Sequence, residues 1–242
     1  ENYRYRDIAV IASDLESYEH YIRACFEDFN IPFFIDTSRT LNQYPAVALI
    51  SSALQAVLDG FSNSDIFDYL KTDLTAVSNS EIDLLENYCL ACGISASDWT
   101  GSDDWQYLKS DDKDFDQDKI NSIRKKAVEP LMFLKNSFYD SNNHQVKLTA
   151  ADFVKIIFKF LDQLNVKNTI EKWINHSDKT GLDIDADHHQ QFYDKMINIF
   201  DELALVFENE NLLPSDFYRV LKTAFAQLKL AFIPPKIAQV LV

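Results

Sequence analysis

The stretches that decide the fold are Tyr-Arg-Tyr-Arg-Asp-Ile-Ala-Val-Ile-Ala at residues 3–12 and Ile-Ala-Gln-Val-Leu-Val at residues 237–242. The first ends in a short continuous apolar run at residues 8–12, which is typical of a strand buried on both faces of a sheet. The second has the same character, and a long helical pattern separates the two. The ends therefore predict a small sheet interrupted by a large insertion. Because the chain begins with Glu1 rather than Met, we expect it to be part of a longer polypeptide.

The residues after the first run predict a strand–helix–strand unit. Apolar residues recur at helical spacing from Leu15 to Phe29, and Ser13 or Asp14 can cap this helix because its side-chain oxygen can accept from early backbone amides. Residues 31–35 form a second short apolar run. The whole unit has about 30 residues, the size of an element in which two parallel strands flank a helix.

From Pro45 onward the pattern is helical, in agreement with a content of only 4 Gly and 6 Pro. Polar loops are predicted at residues 98–118 and 177–187, and Gly93 is expected to end a helix because glycine adopts the left-handed conformation at little cost. The expected helix caps are Asn63 or Ser64, Ser80 and Thr149. Helices are expected to begin near Pro45, residue 117, residue 187 and Pro214, and a shorter helix is expected to contain Ile170, Trp173 and Ile174.

The chain thus divides into three predicted parts. Residues 1–45 form the N-terminal strand–helix–strand unit, residues 46–229 form the helical insertion, and residues 230–242 return to the sheet. The predicted fold class is mainly α, with a large helical insertion carried on a small α/β piece.

Composition limits the function classes. The formal net charge is -15, so the surface repels phosphate and the chain is not expected to bind nucleic acid by bulk electrostatics. Three cysteines cannot build a disulfide framework, and no signal peptide precedes the first run. No apolar run reaches the length of about 18 residues that a membrane helix needs. A cytoplasmic protein without membrane contact is the expectation.

Two motifs imitate metal sites. Cys89 and Cys92 have the spacing of a thiol or metal pair, but a second pair is missing and zinc needs four ligands, so a structural role is favoured. Residues 112–118 imitate the start of a calcium loop. Such a loop needs Gly at its sixth and Glu at its twelfth position, where this sequence has Gln117 and Ile123. We therefore interpret the segment as a solvated loop.

Other charged and aromatic features are also interpreted as structural. The neighbouring His188 and His189 point in different directions on a helix and share one metal poorly, so a surface role is favoured. The basic run 124–126 (Arg-Lys-Lys) could meet phosphate locally, but a solvated helix face is the favoured interpretation. The apolar stripe at 153–160 is expected to be core rather than a membrane-surface helix. The tryptophans Trp99, Trp105 and Trp173 are expected to pack rather than to stack on bases.

The sequence contains no catalytic signature. It has no G-x-x-x-x-G-K-[ST] or G-x-G-x-x-G phosphate loop, and it lacks a G-x-S-x-G nucleophile elbow. We therefore assign no catalytic, cofactor-binding or metal-binding residue. Any enzymatic activity of the longer protein is expected to reside in its other parts.

Several blocks carry a resemblance to a known family. Residues 5–11 and 30–36 resemble the start of the second RecA-like domain in UvrD/Rep-type superfamily 1 helicases. Asp65-Ile-Phe-Asp-Tyr-Leu-Lys-Thr72, residues 85–94 and Ile233-Pro-Pro-x-x-x-Gln-Val240 resemble, in the expected order, the AddB/RexB family, the B subunits of the bacterial ATP-dependent helicase–nuclease.

The resemblance implies an architecture and a function. The chain would be an internal, non-catalytic fragment in which a helical 2B-like subdomain is inserted into a RecA-like domain. It would shape the DNA path and contact the A subunit (AddA/RexA-like) in resection and recombinational repair of double-stranded DNA ends. The ATP, Mg²⁺ and iron–sulfur cluster of the family would bind outside this fragment.

One departure from the family concerns Ser13. The resemblance implies an arginine here, in the fourth helicase motif, where it reaches nucleotide phosphate in active helicases. A hydroxyl cannot replace the bidentate contact of a guanidinium. The alternative to a helicase–nuclease fragment is an all-helical protein-interaction adaptor unrelated to DNA, which would be favoured if the two ends did not pair in one sheet.

Overall fold

The computed structural model describes residues 3–35, 39–41, 44–106, 115–180, 183–227, 229–230 and 239–242. The helices are α1 (Leu15–Asp28), α2 (Pro45–Leu58), α3 (Asn63–Leu70), α4 (Asn79–Cys92), α5 (Gln117–Phe138), α6 (Ala150–Gln163), α7 (Val166–Thr180), α8 (Asp183–Val206) and α9 (Pro214–Gln227). The strands are β1 (Phe33–Phe34), β2 (Arg39–Thr40), β3 (Leu148–Thr149), β4 (Asn211–Leu212), β5 (Lys229–Leu230) and β6 (Val240–Leu241). The predicted mainly α fold class is confirmed.

The two ends of the chain lie side by side in one parallel sheet. β1 pairs with β6, so that Phe33 lies opposite Val240. On the other side of β6, the Val10 amide donates to the Leu241 carbonyl at 2.8 Å, and the Leu241 amide donates to the Ile8 carbonyl at 3.3 Å. β6 is therefore the central strand, and the predicted sheet that joins the two ends is confirmed.

The first apolar run is not buried on both faces, contrary to the prediction. Ile8 is 42% and Ile11 is 94% exposed, and only Ala9 forms a bridge to β6. The physical reason is that a face of a sheet is buried only where another layer packs on it. α1 covers just one of its faces, through Val10.

The predicted strand–helix–strand unit is present in part: the first apolar run forms an isolated bridge to β6 at Ala9 rather than a strand, and α1 and β1 follow it in the predicted order. Asp14, and not Ser13, caps α1, because its carboxylate accepts from the Ser17 amide at 3.3 Å. The helix stops at the predicted place, where Asn30 adopts a left-handed conformation with φ 52°. Both the first run and β1 run parallel to β6, so α1 crosses over β6 between them.

The helices α2–α9, which we call the helical body, are built around α2. Eight of its residues are buried, because α3, α5 and α9 pack around it. Pro45 occupies the first turn, where its missing amide costs nothing, and Pro214 begins α9 in the same way. The α6 stripe faces this core: Phe153, Ile157 and Phe160 are fully buried, which confirms the core interpretation.

Two predicted helix caps are wrong by one or two residues. Ser62 rather than Asn63 or Ser64 caps α3, and Ser78 rather than Ser80 caps α4. In each case the acidic residue three positions after the cap explains which serine is used. The Ser62 hydroxyl lies 2.6 Å from a carboxylate oxygen of Asp65. The Glu81 carboxylate accepts from the Ser78 amide at 2.9 Å. The predicted caps Thr149 of α6 and Gly93 after α4 are confirmed.

The predicted loop at 177–187 is also wrong. α7 continues to Thr180 and α8 begins at Asp183, so helical backbone occupies most of that range. The polar composition suggested a loop, but the two helices form an antiparallel hairpin whose backbone satisfies its own hydrogen bonds. In the predicted loop at 98–118, residues 96–100 form a short 3₁₀ helix and Gln117 already belongs to α5.

A two-stranded pair of β2 and β5, which we call the neck, joins the helical body to the sheet formed by the two ends. β2, just before α2, pairs with β5, just after α9, in antiparallel register. The apolar residues on the two sides of the neck form separate clusters: a large one across the helical body that also includes Phe34, and a small one of Ile35, Val240 and Val242 against α1. The positions of these two clusters agree with the predicted division of the chain at residues 45 and 230. The division itself remains a prediction.

Candidate functional site

The large apolar side chains that the described residues expose are concentrated at the sheet end of the molecule. We call residues 3–35 and 239–242 the base. Of twelve exposed large apolar residues in the described part, eight belong to the base: Tyr3, Tyr5, Ile8, Ile11, Tyr18, Tyr21, Phe29 and Leu241. Large apolar side chains left exposed in such numbers are common where a protein contacts another protein segment. The base is therefore the candidate interaction site.

One face of the base sheet is largely open. Residues paired in a parallel sheet share a face, so Phe34 and its partner Leu241 lie on the same side. The helical body covers Phe34, whereas Leu241 is half exposed and Ile11 is almost fully exposed. Parallel sheets are normally covered on both faces. The open part of this face is therefore an incomplete layer.

The other face of the base has a thin core. Val240, Val242 and Ile35 are buried there, but Leu15, Ile22 and Phe26 of α1 are only partly buried. Phe26 makes an edge-to-face contact with Phe33, with ring centroids 5.4 Å apart. A unit of two short strands, one bridging segment and one helix buries too little apolar area to be stable by itself. The base therefore depends on neighbouring structure.

Ser13 lies exposed between the first apolar run and α1. This is the carboxyl end of the segment that bridges to β6 in parallel, the edge of an α/β sheet where ligands bind. The hydroxyl at this position offers a single weak contact in place of the arginine that the resemblance implies. The sheet edge thus lacks, at this position, the charge that would hold a nucleotide phosphate.

The cysteine pair sits on the inner side of α4. Cys89 is 1% exposed, and burial raises the pKa of its thiol to about 12, so the thiol stays protonated and a poor metal ligand. No group of three His, Cys, Asp or Glu side chains that could hold a metal is found within the described residues. The burial of Cys89 agrees with a structural role.

The other two candidate metal motifs lie largely outside the described residues. Residues 112–114 of the aspartate-rich segment are not described, and Asp116 caps α5 through the Lys119 amide at 3.1 Å. His188 and His189 belong to α8 by their backbone, and their side chains lie outside the described part.

The tryptophans pack, as predicted. Trp99 and Trp105 are buried with ring centroids 5.1 Å apart, and Trp105 stacks on Tyr88 at 5.8 Å. The Trp99 indole donates to the Asn63 side chain at 2.7 Å. Trp173 is half-buried against the main core. Neither Trp99 nor Trp105 offers a face for base stacking.

The interpretation of the basic run as a solvated helix face is wrong for Arg124. Its side chain is 5% exposed, and its guanidinium donates to the carbonyls of Asp103 (2.8 Å), Trp99 (3.4 Å) and Gly101. Sequence reasoning missed this role, although Arg124 lies at helical spacing from Ile120 and thus on the buried stripe of α5. The arginine fastens the aspartate-rich loop to the helix.

The two lysines of the run are exposed but paired within the chain. Lys125 lies 2.8 Å from Asp104, and Lys126 lies 3.0 Å from Glu81. With both lysines next to carboxylates and Arg124 buried, the run does not present a free cationic patch for phosphate.

None of the helices in the part of the chain that the structure describes is both long enough and apolar enough to cross a bilayer.

Comparison with known proteins gives matches along the whole chain. No protein-family model matches it. The B subunit of the ATP-dependent helicase/deoxyribonuclease of Clostridium novyi (strain NT) is 36% identical over 241 residues, which are 100% of this chain and 20% of that protein. The protein of the same name from Clostridium botulinum (strain Langeland / NCTC 10281 / Type F) is 33% identical over 246 residues, 99% of this chain and 21% of the relative. That from Symbiobacterium thermophilum is 34% identical over 253 residues, 100% of this chain and 22% of the relative.

The chain spans about a fifth of the length of the curated relatives it matches. Their names define a class of ATP-dependent helicases combined with a deoxyribonuclease. The chain belongs to the family of the B subunits of that class, as the counterpart of one region of its members. The resemblance to the AddB/RexB family is thereby confirmed.

Proposed function

We propose that this chain is a non-catalytic region of an ATP-dependent helicase/deoxyribonuclease B subunit. The base is part of a larger RecA-like lobe, and the helical body is a 2B-like insertion. In the assembled complex the helical body shapes the path of a double-stranded DNA end and contacts the A subunit. The complex resects such ends for recombinational repair in the cytoplasm.

The observation that carries the proposal is the unfinished state of the base. Eight exposed large apolar side chains and an open sheet face belong to a unit whose own core buries only Ile35, Val240 and Val242. The helical body is complete by comparison, with one continuous core. A small incomplete sheet that carries a complete helical body is what a domain inserted into a larger α/β lobe requires.

Catalysis is assigned to segments outside residues 1–242. ATP and Mg²⁺ need a phosphate-binding loop, and this sequence has none. An iron–sulfur cluster is usually held by four thiolates. The chain has three cysteines, of which Cys89 is buried with a raised pKa, so these residues do not fit a cluster. The described residues therefore serve as structure and contact surface.

The rival function, an all-helical adaptor unrelated to DNA, has the pairing of the ends against it. Such an adaptor needs no parallel sheet between residue 10 and residue 241, yet two backbone hydrogen bonds join the first apolar run to β6. The names of the relatives, which are B subunits of a helicase/deoxyribonuclease, also favour the helicase–nuclease proposal.

The proposal is tested by measuring three properties of the purified chain. These are ATP hydrolysis, binding to a forked DNA duplex and binding to an A subunit, each at low and at physiological salt. We expect binding to the A subunit, weak DNA binding and no ATP turnover. ATP turnover by the chain alone, or tight DNA binding that weakens steeply with salt, would contradict the proposal.

A further inference from the structure

A cleft with a volume of about 410 Å³ opens to the surface between α2, α3 and α9. The α2 residues that line it include Ala48, Ser51 and Ser52, which lie on one face of the helix because Ala48 is three and four positions from the two serines. Their side chains are small, and this leaves space between the neighbouring helices. Cavities of roughly 300 to 1,000 Å³ are typical of ligand-binding sites.

The polar side chains of the cleft are connected by hydrogen bonds across the three helices. The Tyr218 hydroxyl of α9 donates to the Gln55 side-chain carbonyl at 3.1 Å, and the Gln55 amide donates to the Asp65 carboxylate at 2.9 Å. The Ser62 hydroxyl donates to the other oxygen of that carboxylate at 2.6 Å. The network therefore ends on a single acceptor, the Asp65 carboxylate, and fixes its position beside the cleft.

The carboxylates of the cleft have no counter-charge in the described part of the chain. Asp65 is 9% exposed, and its hydrogen-bond partners Gln55 and Ser62 are neutral. Neither Asp65 nor the exposed Asp68, which also lines the cleft, forms an ion pair with a described lysine or arginine. Buried carboxylates are usually paired. The group that would complete the cleft is therefore a cation.

The surrounding groups leave the cleft negative. Asp65 lies in the first turn of α3, whose positive end stabilises one carboxylate, but Asp68 lies beyond that turn. Burial raises the pKa of the Tyr218 phenol, and the charges of Asp59 and Asp65 raise it further. Lys222 lines the other side of the cleft, but its ammonium lies over the Tyr218 ring, 5.8 Å from the centroid. Two carboxylates against one ammonium leave a net negative charge.

A guanidinium group fits this arrangement better than a metal ion or an ammonium. Both oxygens of Asp65 already accept hydrogen bonds, and no group of three metal-binding side chains is found among the described residues. A guanidinium presents its donors as a flat fork that contacts two acceptors at once, and the Asp68 carboxylate and the Ser51 hydroxyl are acceptors in the cleft. The Tyr218 ring offers an aromatic surface on which such a group stacks.

We propose that this cleft receives an arginine side chain of the A subunit. The inference rests on the proposed function, since it names a contact point between the helical body and that partner. The negative charge of the cleft disfavours DNA phosphate and favours a basic protein segment. Arginine is enriched in protein interfaces, where buried anchors in pockets carry much of the binding energy. Lys222 can pair with an acidic residue next to that arginine.

The experiment measures the affinity of the full-length B subunit for the A subunit by biolayer interferometry. Each variant raises the net charge equally. Asp68→Asn removes a carboxylate of the cleft, and Ser51→Arg fills the cleft with a guanidinium of its own. Asp83→Asn, at an exposed position on α4, is the matched control. We expect the two cleft variants to bind at least about fivefold more weakly than the wild type, and the control to differ by less than about twofold.

The outcomes separate this inference from the proposed function. Wild-type binding that the two cleft variants leave unchanged would overturn the inference alone. A loss that the control variant shares equally would also overturn it, because the effect would then come from the overall charge. Failure of the wild type to bind the A subunit would contradict the proposed function itself.

A second readout uses the full-length B subunit without its partner. N-acetyl-arginine amide should raise the denaturation midpoint of the wild type, because a ligand that binds only the folded state stabilises it. The citrulline analogue, which has nearly the same shape but no charge, should give a smaller increase. Ser51→Arg should abolish the difference between the two compounds. Equal effects of both compounds on the wild type, or an unchanged difference in Ser51→Arg, would overturn the inference.

Discussion

The guanidinium carbon of Arg124 lies 4.7 Å from the centroid of the Trp105 ring, and both side chains are buried. The same loop is held a second time, since Asn121 accepts from the Trp105 amide at 2.8 Å and donates to its carbonyl at 3.2 Å. Two polar residues of α5, one turn apart, thus fix a loop that would otherwise be solvated. Buried polar groups are stable here because each has partners.

Replacing Arg124 is expected to be among the more damaging single changes in the helical body. Arg124→Met leaves the carbonyls of Trp99, Gly101 and Asp103 without their donor and removes the contact with the Trp105 ring. We expect a loss of about 2–4 kcal/mol in the free energy of unfolding. Lys125→Met, an exposed neighbour, should cost less than about 0.5 kcal/mol. Urea denaturation followed by Trp fluorescence measures both, and equal costs would contradict this role for Arg124.

Removal of residues 239–242 should unfold the base and spare the helical body. Without β6, the backbone groups of Val10 and Phe34 lose their partners, and the small cluster loses Val240 and Val242. The larger cluster lies on the other side of the neck. Hydrogen exchange should show at least about tenfold lower protection at Val10, with protection in α2 and α5 maintained. Loss of protection throughout the chain would show that the two clusters fold as one unit.

The Glu81 carboxylate should give the helical body a component of acid sensitivity. The Ser78 amide and hydroxyl and then Lys126 lower its pKa from 4.5 to about 2. Because the folded-state pKa is depressed, the stabilisation is present above pH 4.5 and is lost as the pH falls towards 2. Glu81→Gln should therefore lower the denaturation midpoint more at pH 6 than at pH 3. Asp118→Asn, in the first turn of α5, serves as the control. A difference between wild type and Glu81→Gln that does not change with pH would contradict this assignment.

The two cysteines of α4 should respond differently to substitution. Cys89→Ser places a hydroxyl in an apolar site and should cost about 1–3 kcal/mol. Cys92→Ser, at a half-buried position, should cost less than about 1 kcal/mol. Denaturation midpoints with and without zinc check this expectation. Equal losses together with stabilisation of the wild type by zinc would show instead that the pair binds a metal.

Much of the fold could be predicted because it is specified locally. The prolines that start α2 and α9, and Gly93 at the end of α4, act through their nearest neighbours. Serine-rich stretches were harder, since several residues can cap and only a partner three positions later decides. Glu81 after Ser78 was the available signal.

The parts that sequence reasoning missed depend on distant contacts. Arg124 looks like one of three surface cations, and its burial follows from loop carbonyls 21 to 25 positions earlier in the chain. Likewise, the exposure of Ile11 cannot be predicted from an apolar run, because the run has the same composition whether or not a neighbouring strand is present. Helical spacing identified the apolar residues of α1 in the sequence, but it could not separate the packed Ile22 and Phe26 from the exposed Tyr21.

The neck of β2 and β5 has a consequence for how this family can diverge. The helical body leaves and rejoins the sheet at adjacent, hydrogen-bonded strands, so its two ends are held in place by the neck itself. A module attached in this way can gain or lose helices, or drift in sequence, without displacing the strands that carry it. In the proposed function the base fits neighbouring structure on several sides, so it has no such freedom. We therefore expect the sequence of the base to change more slowly among members of the family than the sequence of the helical body.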